Sequence, residues 1–135
     1  MLVLDTSAAS AVMHGVPSAV ARLRQERPAE IVLTSPVLAE IRFGLERLVR
    51  GSRRRRLLEG ELVRLRHAVR WEDWSEEAAN EFGRQKARLS KLGPLIEDFD
   101  LAIGAMAVTL GARLATLNPR HMARLEGLDI EDWKA

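Results

Sequence analysis

Four acids in this chain stand where acids can do chemistry. Asp5 follows the short apolar run Leu2-Val3-Leu4 at once. Glu40 follows a second apolar run, Ile31-Val32-Leu33, inside a helical pattern that Pro36 opens. Asp98 and Asp100 open the most apolar helical stretch, after a stop at Gly93-Pro94. In an open α/β sheet, the carboxyl end of a buried strand borders the crevice where ligands bind. Acids at the starts of apolar helices cannot be buried unpaired in a core. The pattern therefore predicts three or four carboxylates converging from distant parts of the chain. Like charges at close range repel and raise one another's pKa, and a divalent cation relieves that. Oxygen donors without a Cys or His cluster suit Mg²⁺ or Mn²⁺ rather than Zn²⁺. Such a site activates water and neutralises a phosphodiester during hydrolysis.

Taken alone, each acid has a plainer reading. Asp5, before Thr6-Ser7, serves as a turn residue. Glu40, Asp98 and Asp100 serve as first-turn acids that complement the positive end of a helix. Periodicity by itself does not choose between the two readings.

The acids need elements to hold them. Leu2 to Leu4 predicts a first strand, with Thr6 or Ser7 capping a short helix that ends near His14-Gly15. A second helix starts at Ser18 and ends before Pro28. Ile31 to Leu33 predicts the second strand. From Pro36 onward, Leu38, Ile41, Leu45, Leu48 and Val49 recur at helical spacing, placing Glu40 in the first turn. Gly51-Ser52 breaks that pattern. Arg53 resumes it, with Leu57, Leu58, Leu62, Val63 and Leu65 apolar and the arginines on other faces. Val69 to Trp71 predicts a brief third strand, and Ser75 starts a helix reaching Gly93-Pro94. Glu97 to Leu110 is the apolar helix, Arg113 to Thr116 the fourth strand, and Leu128 to Ile130 a last edge strand. Strands alternating with helices predict one domain over residues 1–135, a three-layer α/β/α fold with a mostly parallel sheet of four to five strands.

Composition narrows the function classes. The 135 residues are 47% apolar and 30% charged, and none is cysteine. Disulfides and thiolate metal sites are thereby excluded. Asp5 interrupts the only early apolar run and no basic leader precedes it, so a signal peptide is not expected. Leu101 to Ala112 falls short of the roughly 20 residues that span a bilayer, so a cytoplasmic protein with no membrane partner is expected. The net charge of +2 hides an arginine-rich stretch between Arg47 and Arg70, opposed only by Glu59 and Glu61. Such a stretch suits a polyanion, an acidic partner or a solvated helix face.

Taken in order, these stretches resemble a known family. Leu4-Asp5-Thr6-Ser7 resembles the opening motif of PIN-domain ribonucleases. Ala39-Glu40-Ile41 with Gly44 resembles their second motif, and Asp100-Leu101-Ala102-Ile103-Gly104-Ala105 the third. Thr116-Leu117-Asn118 resembles the fourth, and Gly127-Leu128 to Trp133 the usual tail. The match spans essentially the whole chain and is closest to VapC-like toxins of type II toxin–antitoxin systems. It implies Asp5, Glu40 and Asp100 as the acids that hold Mg²⁺ or Mn²⁺, with Asp98 near enough to assist. It implies Thr6, Ser7 and Thr116 as hydroxyls that steady a carboxylate or water. The family often carries a fourth acid where this chain has Asn118, and some relatives have one where it has His121. Asn118 can meet a metal-bound water but brings no charge.

The resemblance further implies an endoribonuclease toxin that hydrolyses RNA phosphodiester bonds, transfer RNA being a common target. A cognate VapB-like antitoxin would inhibit it. A homodimer, and a higher heteromer with antitoxin, are implied as well. Arg53, Arg54, Arg55 and Arg56 are the candidate RNA or partner contacts. His121 reads as facing solvent or a phosphate, His14 and His67 as surface residues, and Trp71, Trp74 and Trp133 as packing. The alternative is a PIN-like RNA- or protein-binding module with weak or no nuclease activity, which Asn118 keeps open.

Overall fold

Strands that are apolar on both faces need cover on both sides, which parallel sheets with helical crossovers provide. The computed structural model, which describes residues 1–134, has this form. Strands β1 (Leu2–Leu4), β2 (Ile31–Thr34), β3 (Arg70–Glu72), β4 (Arg113–Thr116) and β5 (Asp129–Asp132) make one sheet in the order β3-β2-β1-β4-β5. Every pairing is parallel, with Leu2 opposite both Ile31 and Arg113. β1, β2 and the last three residues of β4 are buried throughout.

The order carries the functional consequence. The chain builds outward from β1 to β2 and β3, then returns to lay β4 on the other side of β1. The carboxyl ends of β1 and β4 therefore flank a topological switch point, where open α/β sheets hold ligands. Asp5 leaves β1 there, and Leu117-Asn118 leaves β4. The last edge strand starts one residue later than the sequence predicts and runs to Asp132. Its pairing with β4 seats Trp133 in the core at 1% exposure, where its backbone N–H donates to the Thr116 carbonyl.

Seven helices cover the sheet: α1 (Thr6–Met13), α2 (Pro17–Arg24), α3 (Ser35–Glu46), α4 (Arg53–Ala68), α5 (Glu76–Ser90), α6 (Asp98–Thr109) and the short α7 (Pro119–Met122). Right-handed crossovers place α1 to α4 on one face and α5 to α7 on the other. α1 packs on α2, α3 and α4, while α5 packs along α6.

Three details differ from the sequence reading. The cap of α1 is Asp5 itself, whose Oδ1 accepts from the Ala8 N–H at 2.9 Å, rather than Thr6 or Ser7. The strand ends one residue before Asp5, which leaves that carboxylate, not a hydroxyl, beside the first free amides. Glu40 lies in the second turn of α3, because the helix already starts at Ser35. A favourable first-turn charge therefore does not explain it. Arg55 turns inward instead of outward. It is 8% exposed, donates to Glu46 Oε2 at 2.7 Å and the Leu48 carbonyl at 3.3 Å, and lies 3.7 Å from Glu59. Leu57 and Val63 take the outward places, at 60% and 55% exposure. Arg55 closes the α3–α4 turn, which a hydrophobic residue in its place would leave with unpaired polar groups.

Candidate active site

The site is built around the end of β1. Asp5 is 4% exposed. Its Oδ1 takes the Ala8 amide and the Ser7 hydroxyl, the latter at 2.6 Å. Ser7 Oγ in turn accepts from the Leu117 amide at 2.9 Å, tying the end of β1 to the end of β4. Asp5 Oδ2 takes no hydrogen bond from a described residue. Thr6, the first residue of α1, donates its hydroxyl to Glu40 Oε1, a bond that joins α1 to α3. Asp100 sits in the first turn of α6, and its Oδ2 lies 3.2 Å from His121 Nε2 on α7. These side chains, with Asn118 and Ser10, line one pocket of about 330 Å³.

The electrostatics follow from burial and mutual repulsion. Desolvation, and then the negative charges of Asp100, Glu97 and Asp5, push the Glu40 carboxyl above its ordinary value, against the Thr6 hydrogen bond. Burial also raises Asp100, helped by Asp5 and Glu97 and opposed by His121. No lysine or arginine lines the pocket among the described residues. The carboxylates thus share a low-dielectric space in which, among the described residues, His121 is the one basic side chain.

This donor set fits a hard divalent cation. Among the described residues no three His, Cys, Asp or Glu side chains gather tightly enough to enclose an ion alone. Mg²⁺ is commonly held through one or two carboxylates, keeping several waters and adding substrate phosphates. Acids spaced around a pocket suit that mode better than a closed cage.

The remaining sequence candidates fall in different places. Asp98 lies outside the pocket, 3.0 Å from Lys86 Nζ, beside the apolar surface of Trp74, Phe82 and Phe99. Thr116 is fully buried, and its Oγ1 accepts from the Asn118 amide at 2.9 Å, shaping the loop rather than lining the pocket. Arg53 and Arg54 line an apolar groove between α1, α2 and α4, whereas Arg55 is spent on the α3–α4 turn and Arg56 is exposed. Trp71 packs under Arg66, whose guanidinium carbon lies 4.2 Å from the ring centre, and Trp74 meets Phe82 edge to face.

One residue escaped the sequence reading, and another gains a neighbour that it did not foresee. Glu97, the N-cap of α6, adds its charge to both Glu40 and Asp100. Its signal was its spacing of three from Asp100, which puts both on one side of a helix start where Asp98 is not. His121 is exposed, and its Nε2 also lies beside Asp100. Only the return of β4 beside β1 brings it there, and no local pattern reports that.

Comparison with known proteins gives the family and the fold. A family model described as PIN domain matches residues 2–128. "Ribonuclease VapC2" of Haemophilus influenzae is 30% identical over 130 residues, which cover 96% of each chain. The "tRNA(fMet)-specific endonuclease VapC" of Salmonella typhimurium is 26% identical with the same coverage. Among solved structures, VapBC2 from Rickettsia felis bound to a promoter DNA fragment superposes with a TM-score of 0.87, covering 98% of each chain at 24% identity.

Proposed function

The chain belongs to the PIN-domain family, in its VapC-like branch, and on that premise we propose that it is the toxin of a type II toxin–antitoxin pair. It is a nuclease that hydrolyses RNA phosphodiester bonds and is inhibited by a VapB-like antitoxin. The observation that carries the reading is the pocket at the β1–β4 switch point, where Asp5, Glu40 and Asp100 meet without a lysine or arginine. Transfer RNA is the substrate class that the name of the Salmonella relative specifies, and we propose the same class here.

Asp5, Glu40 and Asp100 would hold Mg²⁺ or Mn²⁺. A bound divalent ion supplies a water of lowered pKa and offsets charge on the phosphate. Thr6 holds Glu40 and Ser7 holds Asp5, so that each carboxylate presents a fixed oxygen. His121 lies beside Asp100 and lines the same pocket, where it would be placed to exchange a proton with a water there. Asn118 brings a neutral amide to the fourth corner. The apolar groove of Val12, Met13, Val20, Leu57 and Leu58 adjoins the acid pocket through Ser10, His14 and Arg54. An antitoxin segment laid along that groove and continued past Arg54 and Ser10 would cover the acids, which supports inhibition by occlusion.

Purified protein incubated with total transfer RNA tests the reading. Discrete cleavage in Mg²⁺ or Mn²⁺, abolished by EDTA, is expected. Intact RNA in both, with no Mn²⁺ bound in a titration, would favour the binding-module alternative.

A further inference from the structure

A polyanionic substrate cannot be held by the acid pocket alone. That pocket carries three carboxylates and, among the described residues, no lysine or arginine. Phosphates flanking the scissile one must find positive charge next door, because charged contacts to the backbone supply most of the affinity for nucleic acid. Two directions lead out of the pocket among the described residues. One passes Thr6, Ser10 and Glu40 toward the α1–α4 groove, which holds Arg53 and Arg54 but is walled by aliphatic side chains and includes Glu61. The other leads to a cleft of about 600 Å³ around α7, which shares Asn118 and His121 with the acid pocket. Arg120, Arg124 and Lys134 line it, and among the described residues no acidic side chain does. None of these three cations forms a side-chain ion pair with a described acid. Arg120 and Lys134 are exposed, and Arg124 is half-buried.

We propose that this α7 cleft is the phosphate-binding subsite for single-stranded RNA next to the scissile bond. The proposal rests on the nuclease reading above. His121 stands at the boundary, beside Asp100 on one side and opening to the cleft on the other. A strand whose phosphate sits over the acids has its neighbouring phosphates beside Arg120, Arg124 and Lys134. The cleft fixes the register of the strand, while the acids do the cutting. It also separates the cations by role: Arg55 folds the chain, Arg53 and Arg54 border the apolar groove, and the α7 cations track RNA.

The test is the salt dependence of RNA binding. A labelled, short single-stranded RNA oligomer is titrated in EDTA, so that it is not cut, across a range of KCl. Removing three phosphate contacts makes the slope of log affinity against log salt shallower by about 2, and weakens binding about 100-fold near 0.1 M salt. The Arg120→Gln/Arg124→Gln/Lys134→Gln variant should show both effects. Arg120→Gln alone, at an exposed position that folding does not depend on, should lower the slope by roughly 0.7. The Arg53→Gln/Arg54→Gln/Arg56→Gln variant of α4 should keep the wild-type slope. A wild-type slope in the cleft variant, from a protein whose wild type cuts RNA in Mg²⁺, overturns this proposal alone. Loss of slope in the α4 variant instead overturns it too. A wild type that neither binds nor cuts RNA overturns the nuclease reading together with it.

Discussion

Gly104→Ala tests whether α6 and α7 are packed as described. Gly104 lies one turn below Asp100 on α6, and α7 carries His121, so this contact sets the distance between the two site residues. A Cβ at position 104 would fall well inside van der Waals contact with Leu125 Cδ1 and 3.3 Å from Met122 Cε. Both neighbours are buried, at 4% and 1% exposure, and have little room to yield. Overpacking of this kind costs about 1–3 kcal/mol. Replacing glycine by alanine within a helix otherwise gains about 1 kcal/mol. The net change is a loss of about 0–2 kcal/mol, or a melting point lower by up to roughly 8 °C for a chain of this length. Gly60 and Gly83 are internal controls, because both are exposed helical glycines and an added Cβ there meets nothing within 4 Å. Gly60→Ala and Gly83→Ala should each raise the melting point by about 4 °C. Leu125→Ala removes the opposing methyl groups, so the Gly104→Ala/Leu125→Ala pair should cost less than the sum of the single changes. Thermal unfolding of the five variants and the wild type by circular dichroism provides the data. If Gly104→Ala stabilises as much as Gly60→Ala, the α6–α7 contact is not as described and the Asp100–His121 geometry falls with it.

Other consequences can be measured on the same protein. Glu40 and Asp100 are held above their ordinary values, so the folded state binds protons more readily than the unfolded one. Stability from these groups is fully present below the ordinary carboxylate range and is lost as pH rises through the raised values. Without divalent metal, Glu40→Gln should therefore match wild type below the ordinary carboxylate range and exceed it as pH rises through the raised value in chemical denaturation; a difference independent of pH would contradict the burial argument. Mg²⁺ at a hundredfold excess over its dissociation constant should stabilise wild type by about 2.7 kcal/mol and an Asp5→Asn/Asp100→Asn protein far less. Arg55→Ala should lower stability by about 1–3 kcal/mol through its lost bonds to Glu46 and Leu48, while Arg56→Ala should be silent. Thr34 is fully buried and its hydroxyl has no partner among the described residues, so Thr34→Val should be neutral or stabilising by up to about 1–2 kcal/mol in a melt.

What the sequence makes legible depends on the range of the physics involved. Leu2 to Leu4, Ile31 to Leu33 and Arg113 to Thr116 read directly as strands because buried parallel strands are continuous apolar runs. The helix starts at Pro36, Arg53 and Ser75 read equally well, since caps and proline act within one turn. The fold class and parallel sheet follow from that alternation, and the structure has both. Placing side chains is harder. Arg55 carries the same local signal as Arg53, Arg54 and Arg56, and only the distant Glu46 and the Leu48 carbonyl draw it inward. Asp98 and Glu97 differ by one step along a helix start, yet one meets Lys86 and the other adds its charge to Glu40 and Asp100. His121 reaches Asp100 through strand order alone, a property of the whole sheet that no window of sequence contains.

The most direct measurement is the rate of RNA cleavage by Asp5→Asn in Mg²⁺. Asparagine caps helices as well as aspartate does, so the bond to the Ala8 amide and the fold survive while the charge is removed. A metal site worth several kcal/mol to the transition state then predicts a loss of roughly 10²–10³-fold, with an unchanged melting point in EDTA. Cleavage at the wild-type rate would contradict the claim that Asp5, Glu40 and Asp100 form the catalytic centre.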